Sequence, residues 1–295
     1  MDPLIIEAAL NGGTPKSRNP HTPKTPDEIA ADAFACLDAG ATVIHTHLEG
    51  LRQTGDEAAN AYLAGWAPVL AARPDTILYG TLAEGRDVET RFGHYRPLAA
   101  AGMRMGAFDP GSVNLATQGP DGLPGPVSFV YQTSFKDIAG LAELLTETQL
   151  GPAIAIYEPG WLRATLAYEK AGRLPAGAFV KLYLAGDYNF LDGQKGPVTF
   201  GLPPTRKALD AYLEMLEGSS LPWAASVIGG CVARSGLAKL AIERGGHVRV
   251  GLEDYGGEDR PTNAALVAEV VEIAMACGRP VATSAQAAEI LRLPR

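Results

Sequence analysis

Short runs of β-branched and aliphatic residues alternate with segments of helical period along the whole chain. Strands are expected at 4–10, 41–47, 76–82, 103–108, 152–157, 178–184, 223–228 and 247–252. Helices are expected between and after them, at 26–39, 58–72, 88–101, 137–149, 161–171, 206–216, 236–243 and 263–276. The first helix has the fullest signals: Thr25 at the N-cap, Pro26 in the first turn, Glu28 completing a capping box and Gly40 at the C-cap. A long loop with Gly186, Gly193, Gly196 and Gly201 follows the sixth strand, and the tail 281–295 is expected to pack back as a further helix.

Strand and helix in strict alternation imply a parallel sheet. Eight such units in this length match a (β/α)8 TIM barrel better than an open doubly wound sheet, the alternative fold. No stretch reads as a linker and the composition does not change along the chain, so residues 1–295 are taken as one domain.

The second strand ends His45-Thr46-His47. Side chains alternate along a strand, so the two imidazoles share a face and form half of a metal site. In the last strand, parity puts Arg249, Gly251 and Glu253 on one face and Val248, Val250 and Leu252 on the apolar other. The first, second and last strands are neighbours in a closed barrel, so His45, His47 and Glu253 are expected to converge at its C-terminal mouth. Two histidines and a glutamate leave a position open for water or a substrate carbonyl, as catalytic zinc sites do. Taken alone, a pair of alternate histidines is a weak signal, and Glu253 has the ordinary reading of a solvated loop acid. Arg249, inward on a core strand, needs a partner, either an acid such as Asp254 or a substrate carboxylate.

Other strand ends offer hydroxyl, amide and carboxylate groups to a substrate: Asn11 and Thr14 after the first, Thr81 at the third, Ser112 and Asn114 after the fourth and Glu158 after the fifth. His21, His94 and His247 are read as solvated or structural.

Composition narrows the partners. The chain has 295 residues, 46% hydrophobic, and a net charge of −8 without a basic run, which argues against nucleic-acid binding. Cys36, Cys231 and Cys277 form no disulfide or zinc pattern, and Cys36 and Cys277 are expected to be buried; this fits the reducing cytoplasm. No signal peptide and no membrane-spanning run is read.

Several segments carry a family resemblance: Ala9-Leu10-Asn11-Gly12, Thr25-Pro26-Asp27-Glu28-Ile29-Ala30, the lead into His45-Thr46-His47, Gly111-Ser112-Val113-Asn114, Asn263-Ala264 and Gly278-Arg279-Pro280-Val281-Ala282-Thr283. The most specific is Gly245-Gly246-His247-Val248-Arg249-Val250-Gly251-Leu252-Glu253-Asp254. Over nearly its whole length the chain resembles the β-keto acid cleavage enzymes. The resemblance implies condensation of a β-keto acid with acetyl-CoA to give acetoacetate and a new acyl-CoA. It also implies zinc, or another divalent metal, on His45, His47 and Glu253, with Arg249 and Asp254 as substrate-activating residues and Asp254 as the proton acceptor. A homo-oligomer, often a tetramer, is implied as well. Rival readings are a metal-dependent aldolase or lyase working without CoA, and a catalytically silent metal-binding barrel. An amidohydrolase, with further histidines on the fifth and sixth strands, is not matched.

The sequence departs from the family pattern at three places. Thr14 stands where many members carry glutamate, Leu48-Glu49-Gly50 replaces a valine-arginine-aspartate run, and Gly80-Thr81-Leu82-Ala83 replaces a serine/threonine-rich glycine turn. A cationic or polar substrate tail near Glu49 is the expectation from the second. Lys16, Arg18, Arg86, Arg91 and Arg104 are candidates for CoA contacts by location.

Overall fold

Eight parallel strands, paired in the order β3-β2-β1-β10-β9-β8-β7-β4, form the centre of the molecule. They are β1 (Ile6–Ala9), β2 (Val43–Thr46), β3 (Ile77–Gly80), β4 (Met105–Phe108), β7 (Gly151–Ile156), β8 (Phe179–Ala185), β9 (Trp223–Ile228) and β10 (His247–Val250). β3 and β4, the two ends of that order, lie side by side and close the ring. The fold is the (β/α)8 barrel expected from the alternation. The computed structural model describes residues 1–125, 129–189 and 193–294. Residues 190–192 of the glycine-containing loop and Arg295 of the tail lie outside the described residues.

The helices α1 (Pro26–Ala39), α2 (Gly55–Ala72), α5 (Phe135–Glu147), α6 (Pro159–Lys170), α7 (Arg206–Met215), α8 (Leu237–Glu243) and α9 (Asn263–Ala276) cover the ring. Both halves of the Thr25–Glu28 capping box are present. The tail forms α10 (Ser284–Ile290), tied down where Val281 bridges to Leu4.

Three local expectations change. The helix at 88–101 is two pieces, α3 (Val88–Phe92) and α4 (Tyr95–Ala100). Pro97 has no N–H to give the Gly93 carbonyl and its ring would clash there, so the chain breaks at Gly93-His94. The loop after β4 holds an antiparallel hairpin, β5 (Val113–Asn114) with β6 (Val130–Tyr131), which overhangs the barrel mouth. Cys277 is half-buried rather than buried, while Cys36 is buried as expected.

The outward faces of the strands, among them Ile44, Ile154, Val180, Leu182 and Val248, pack against the helices. The inward faces are polar or small. Glu7 pairs in register with Arg249, and Ala9 with His45, so the first strand lies between the strands that carry those two residues. On the far side of the ring Ala107 faces Ala153 and Ala155 faces Lys181 in register. These alanines leave the barrel hollow at a level that bulky side chains fill in most barrels. At the opposite end His247 Nδ1 accepts from the Ile5 N–H at 2.9 Å, the structural role expected of it.

Candidate active site

His45 is buried at the end of β2, and His47 stands one residue beyond the strand. Their Nε2 atoms are 3.0 Å apart. Glu253 approaches from the turn after β10, with Oε2 3.3 Å from His45 Nε2 and Oε1 3.5 Å from His47 Nε2. One ligand atom from each of the three lies within 4.8 Å of the others.

The route of Glu253 to this point differs from strand parity. β10 ends at Val250, and Gly251 takes φ +145 where a Cβ would collide with the Ala9 backbone. The turn, not the pleat, delivers the carboxylate. Thr14 Oγ1 donates to the Leu252 carbonyl at 2.8 Å, and Asn263 Nδ2 and Oδ1 bind Leu10 O and Leu252 N, both at 2.7 Å. Those contacts fix the ends of the first and last strands against each other.

His45 is neutral. Burial pulls its pKa down to about 4, against the opposing pull of Glu253. Its Nδ1 reaches the Tyr79 carbonyl at 3.2 Å, which fixes the ring and leaves Nε2 facing the other two groups. The Glu253 carboxyl lies well below its usual range: burial opposes this, but Arg249 and the two histidines prevail. Among the described residues Glu253 Oε2 is buried without a hydrogen-bond partner. Two facing imidazole nitrogens and an orphaned carboxylate oxygen fit a divalent cation, and the nitrogen–oxygen donor set suits zinc among others.

Arg249, 1% exposed, commits all five of its N–H groups. Nε and Nη2 hold Asp254 at 2.8 and 3.0 Å, Nη1 reaches Glu7 at 2.7 Å and the Tyr79 hydroxyl at 3.3 Å, and Nη2 holds Glu253 Oε1 at 2.7 Å. Asp254 also accepts from Ser226 Oγ at 2.7 Å. Burial pushes the Asp254 carboxyl up, with Arg249 opposing. Asp254 thus sits behind Arg249, off the wall of the main cavity.

That cavity, about 560 Å³, opens over the site. Its floor is Tyr79, Lys181, Tyr183 and the alanine wall, and its outer part carries Leu51, Leu115, Phe129 and Val130 beside Glu84 and Gln132. Of the six expected substrate contacts, Thr81 lines it. Asn11 is turned inward, holding His47 N at 2.8 Å and His47 O at 3.0 Å, and Thr14 is spent on Leu252. Ser112 Oγ bonds Thr133, Asn114 is exposed on the hairpin, and Glu158 accepts from Gly201 N. A short polar side chain at a strand end is as readily used to lock loops as to meet a ligand.

Strand reasoning passed over Glu7, Lys181, Tyr79 and Asp109. A charged residue inside an otherwise apolar strand, as at Glu7 and Lys181, was the available signal. Glu7 is the buried partner that Arg249 required in addition to Asp254. Among the basic candidates, Arg91 lines the cavity; Arg104 reaches Pro294 O from the chain just before β4, the far end of the barrel from the mouth. Lys16 is paired with Glu28, and Arg18 donates to the Tyr255 carbonyl. Glu49 is exposed and off the cavity wall, with its charge acting on Lys24.

The model of the beta-keto acid cleavage enzyme family matches residues 3–293. The chain belongs to that family. A 3-oxoadipate:acetyl-CoA acetyltransferase of Cupriavidus necator is 28% identical over 303 residues, covering 99% of this chain and 95% of that one. A 3-keto-5-aminohexanoate cleavage enzyme of Acetoanaerobium sticklandii is also 28% identical, over the full length of both chains. A solved structure of ObcA, in ternary complex with a C4-CoA adduct and oxalate, superposes with a TM-score of 0.66 at 17% identity, covering 94% of this chain and 68% of that one. That likeness is one of fold. In this fold the His45–His47–Glu253 cluster and the cavity above it, at the C-terminal mouth of the barrel, form the candidate active site.

Proposed function

We propose that this beta-keto acid cleavage enzyme exchanges acyl groups between a β-keto acid and acetyl-CoA, releasing acetoacetate and the CoA thioester of the remaining acyl group. The observation that carries the reading is the convergence of His45, His47 and Glu253, with an unpartnered Oε2, on one point of the cavity wall. His45, His47 and Glu253 would hold zinc or a similar divalent cation, which would supply Lewis-acid polarisation of the substrate's keto oxygen.

The chain's own residues do the rest. Arg249 holds Glu253 and Asp254 in place and brings positive charge beneath the developing enolate. In this reading Asp254 accepts the proton from the carbon between the keto and carboxyl groups. Asp109 is the second candidate, favoured by its position: it lines the cavity, and burial pushes its carboxyl above the usual value. The carbanion attacks the acetyl carbon and CoA leaves as thiolate; the thiolate adds to the other acyl carbon, the original carbon–carbon bond breaks, and the resulting carbanion takes back the proton from the carboxyl group to give acetoacetate. The rim and the half of the cavity away from the metal ligands receive the variable tail.

The enzyme is read as a cytoplasmic homo-oligomer, a tetramer, with no nucleic-acid or membrane partner; among the described residues no helix is long and apolar enough to cross a membrane. The test is metal analysis of the purified protein beside a screen of β-keto acids with labelled acetyl-CoA. Bound zinc and label in acetoacetate are expected. Keto-acid cleavage without acetyl-CoA would favour the lyase reading, and no turnover on any keto acid would favour the silent barrel.

A further inference from the structure

The substrate's carboxylate needs a cation, and the obvious one has no hand to offer. All five N–H groups of Arg249 are taken by Asp254, Glu7, Tyr79 and Glu253. The bond to Glu253 is made to Oε1, so a metal ion taking the orphaned Oε2 does not release it.

Among the described residues of the cavity wall the other lysine or arginine cations are Arg91 and Lys181. Arg91 donates to the Gln132 carbonyl at 3.1 Å and lies 5.2 Å from the Phe92 ring, on the side of the overhanging hairpin. Lys181 is on the floor. Its Nζ sits 4.7 Å from the centre of the Tyr79 ring, and that ring stacks 4.3 Å from His45. The Tyr79 ring therefore adjoins both the amine and His45, and all three line the same cavity.

The donor inventory of Lys181 also leaves room. An ammonium has three N–H groups. One goes to the Tyr79 hydroxyl and one to Glu7 Oε1 at 3.4 Å, and among the described residues the third has no acceptor. Glu7 gives the same oxygen to Tyr79 at 2.5 Å and to Arg249 at 2.7 Å, so one carboxylate charge is shared between two cations. Lys181 lines the cavity, where Ala153 and Ala155 on the neighbouring strand keep the approach open.

We infer that Lys181 binds the carboxylate of the β-keto acid and selects acids over their neutral counterparts, with Glu7 and Tyr79 as the residues that position its amine. This rests on the proposed substrate class but not on the acyl exchange itself.

The test is binding, without acetyl-CoA. Titration calorimetry of zinc-loaded protein with acetoacetate and with its neutral isostere acetoacetamide measures the preference for charge. Wild type should bind acetoacetate about tenfold or more tightly than acetoacetamide, the scale of one charge-assisted hydrogen bond. Lys181→Met should lose most of that preference by weakening acetoacetate, while acetoacetamide affinity and zinc content stay within about twofold. Lys181→Arg should restore part of it. Because Lys181→Met leaves Glu7 with one cation fewer, the double variant Glu7→Gln/Lys181→Met, which removes both charges, is measured beside it. Wild-type preference in either folded, zinc-loaded variant, or no preference in wild type, overturns the assignment. A lost preference stands whether or not acetyl transfer is ever detected.

Discussion

Glu253 is seated against Gly12. A Cβ at position 12 would overlap Glu253 Cγ and lie 3.0 Å from its Cβ and Cδ. Gly12 also takes φ +47, where other residues are strained. The glycine after the first strand thus shapes the slot from which the carboxylate reaches the histidines. Gly12→Ala should lower zinc affinity by about 10- to 100-fold, the usual effect of disturbing a ligand's support. Gly55→Ala is the control: Gly55 has φ +51 with open space around its Cβ position, so it carries the backbone strain alone. A chelator-competition titration in which both variants bind zinc as wild type does would show that the slot is not needed.

The two proton acceptors are separable. Asp254→Asn removes the charge and, because its amide nitrogen cannot accept, one of the two bonds from Arg249; it should cut turnover by at least about 100-fold while zinc stays bound. Asp109→Asn should keep the Tyr131 contact and cost less than about tenfold if Asp254 is the base. The reverse order of losses in kcat would move the role to Asp109, which lines the cavity where Asp254 does not.

The barrel was legible because each βα unit repeats the same local signals, and tertiary packing agreed with them almost everywhere. The His45–His47 pair was legible for the same reason, since strand parity is a local property. Glu253 was placed at the right point by an argument that fails in detail, because the chain leaves the pleat at Gly251. What parity does not supply is which polar strand ends are consumed internally. Asn11 and Thr14 look like ligand contacts in sequence, yet each spends its side chain holding the strand ends that carry His47 and Glu253. Glu7 and Lys181 were visible as charges inside apolar strands, but their meaning depends on a register between the first, sixth and last strands that only the closed ring establishes.

Asp32, on α1, supports the mouth through Asn263 Nδ2 at 2.6 Å and is pushed by burial to about 6, with that hydrogen bond opposing. Its folded value exceeds the ordinary aspartate value of 3.8, so the folded state binds the proton more tightly than the unfolded chain. Asp32 therefore costs stability as pH rises from about 4 to about 6, and the cost is constant above that. The full conversion of such a shift is roughly 3 kcal/mol, and partial exposure of the side chain reduces it. Asp32→Asn should raise stability at pH 7 by about 1–2 kcal/mol in urea unfolding, and the gain should fade below about pH 4. A gain that is the same at pH 4 and pH 7 would mean that ionisation of Asp32 is not its source.

The hollow beside Lys181 exists because β4 and β7 turn alanines inward. Ala155 borders the cavity and pairs in register with Lys181. Ala155→Leu should place its extra volume in that open space rather than into packed atoms, so stability should change by less than about 1.5 kcal/mol. Access to the floor should suffer instead, with KM for the keto acid rising about tenfold and zinc content unchanged. Ile154, the next residue, points to the helices and is fully buried in the apolar layer. Ile154→Ala should do the opposite, costing about 2–5 kcal/mol of stability and leaving KM near wild type. Parallel unfolding curves and initial rates on the two neighbours decide it: if Ala155→Leu destabilises as a packed-core insertion does and leaves KM unchanged, the alanine wall is not the path to Lys181.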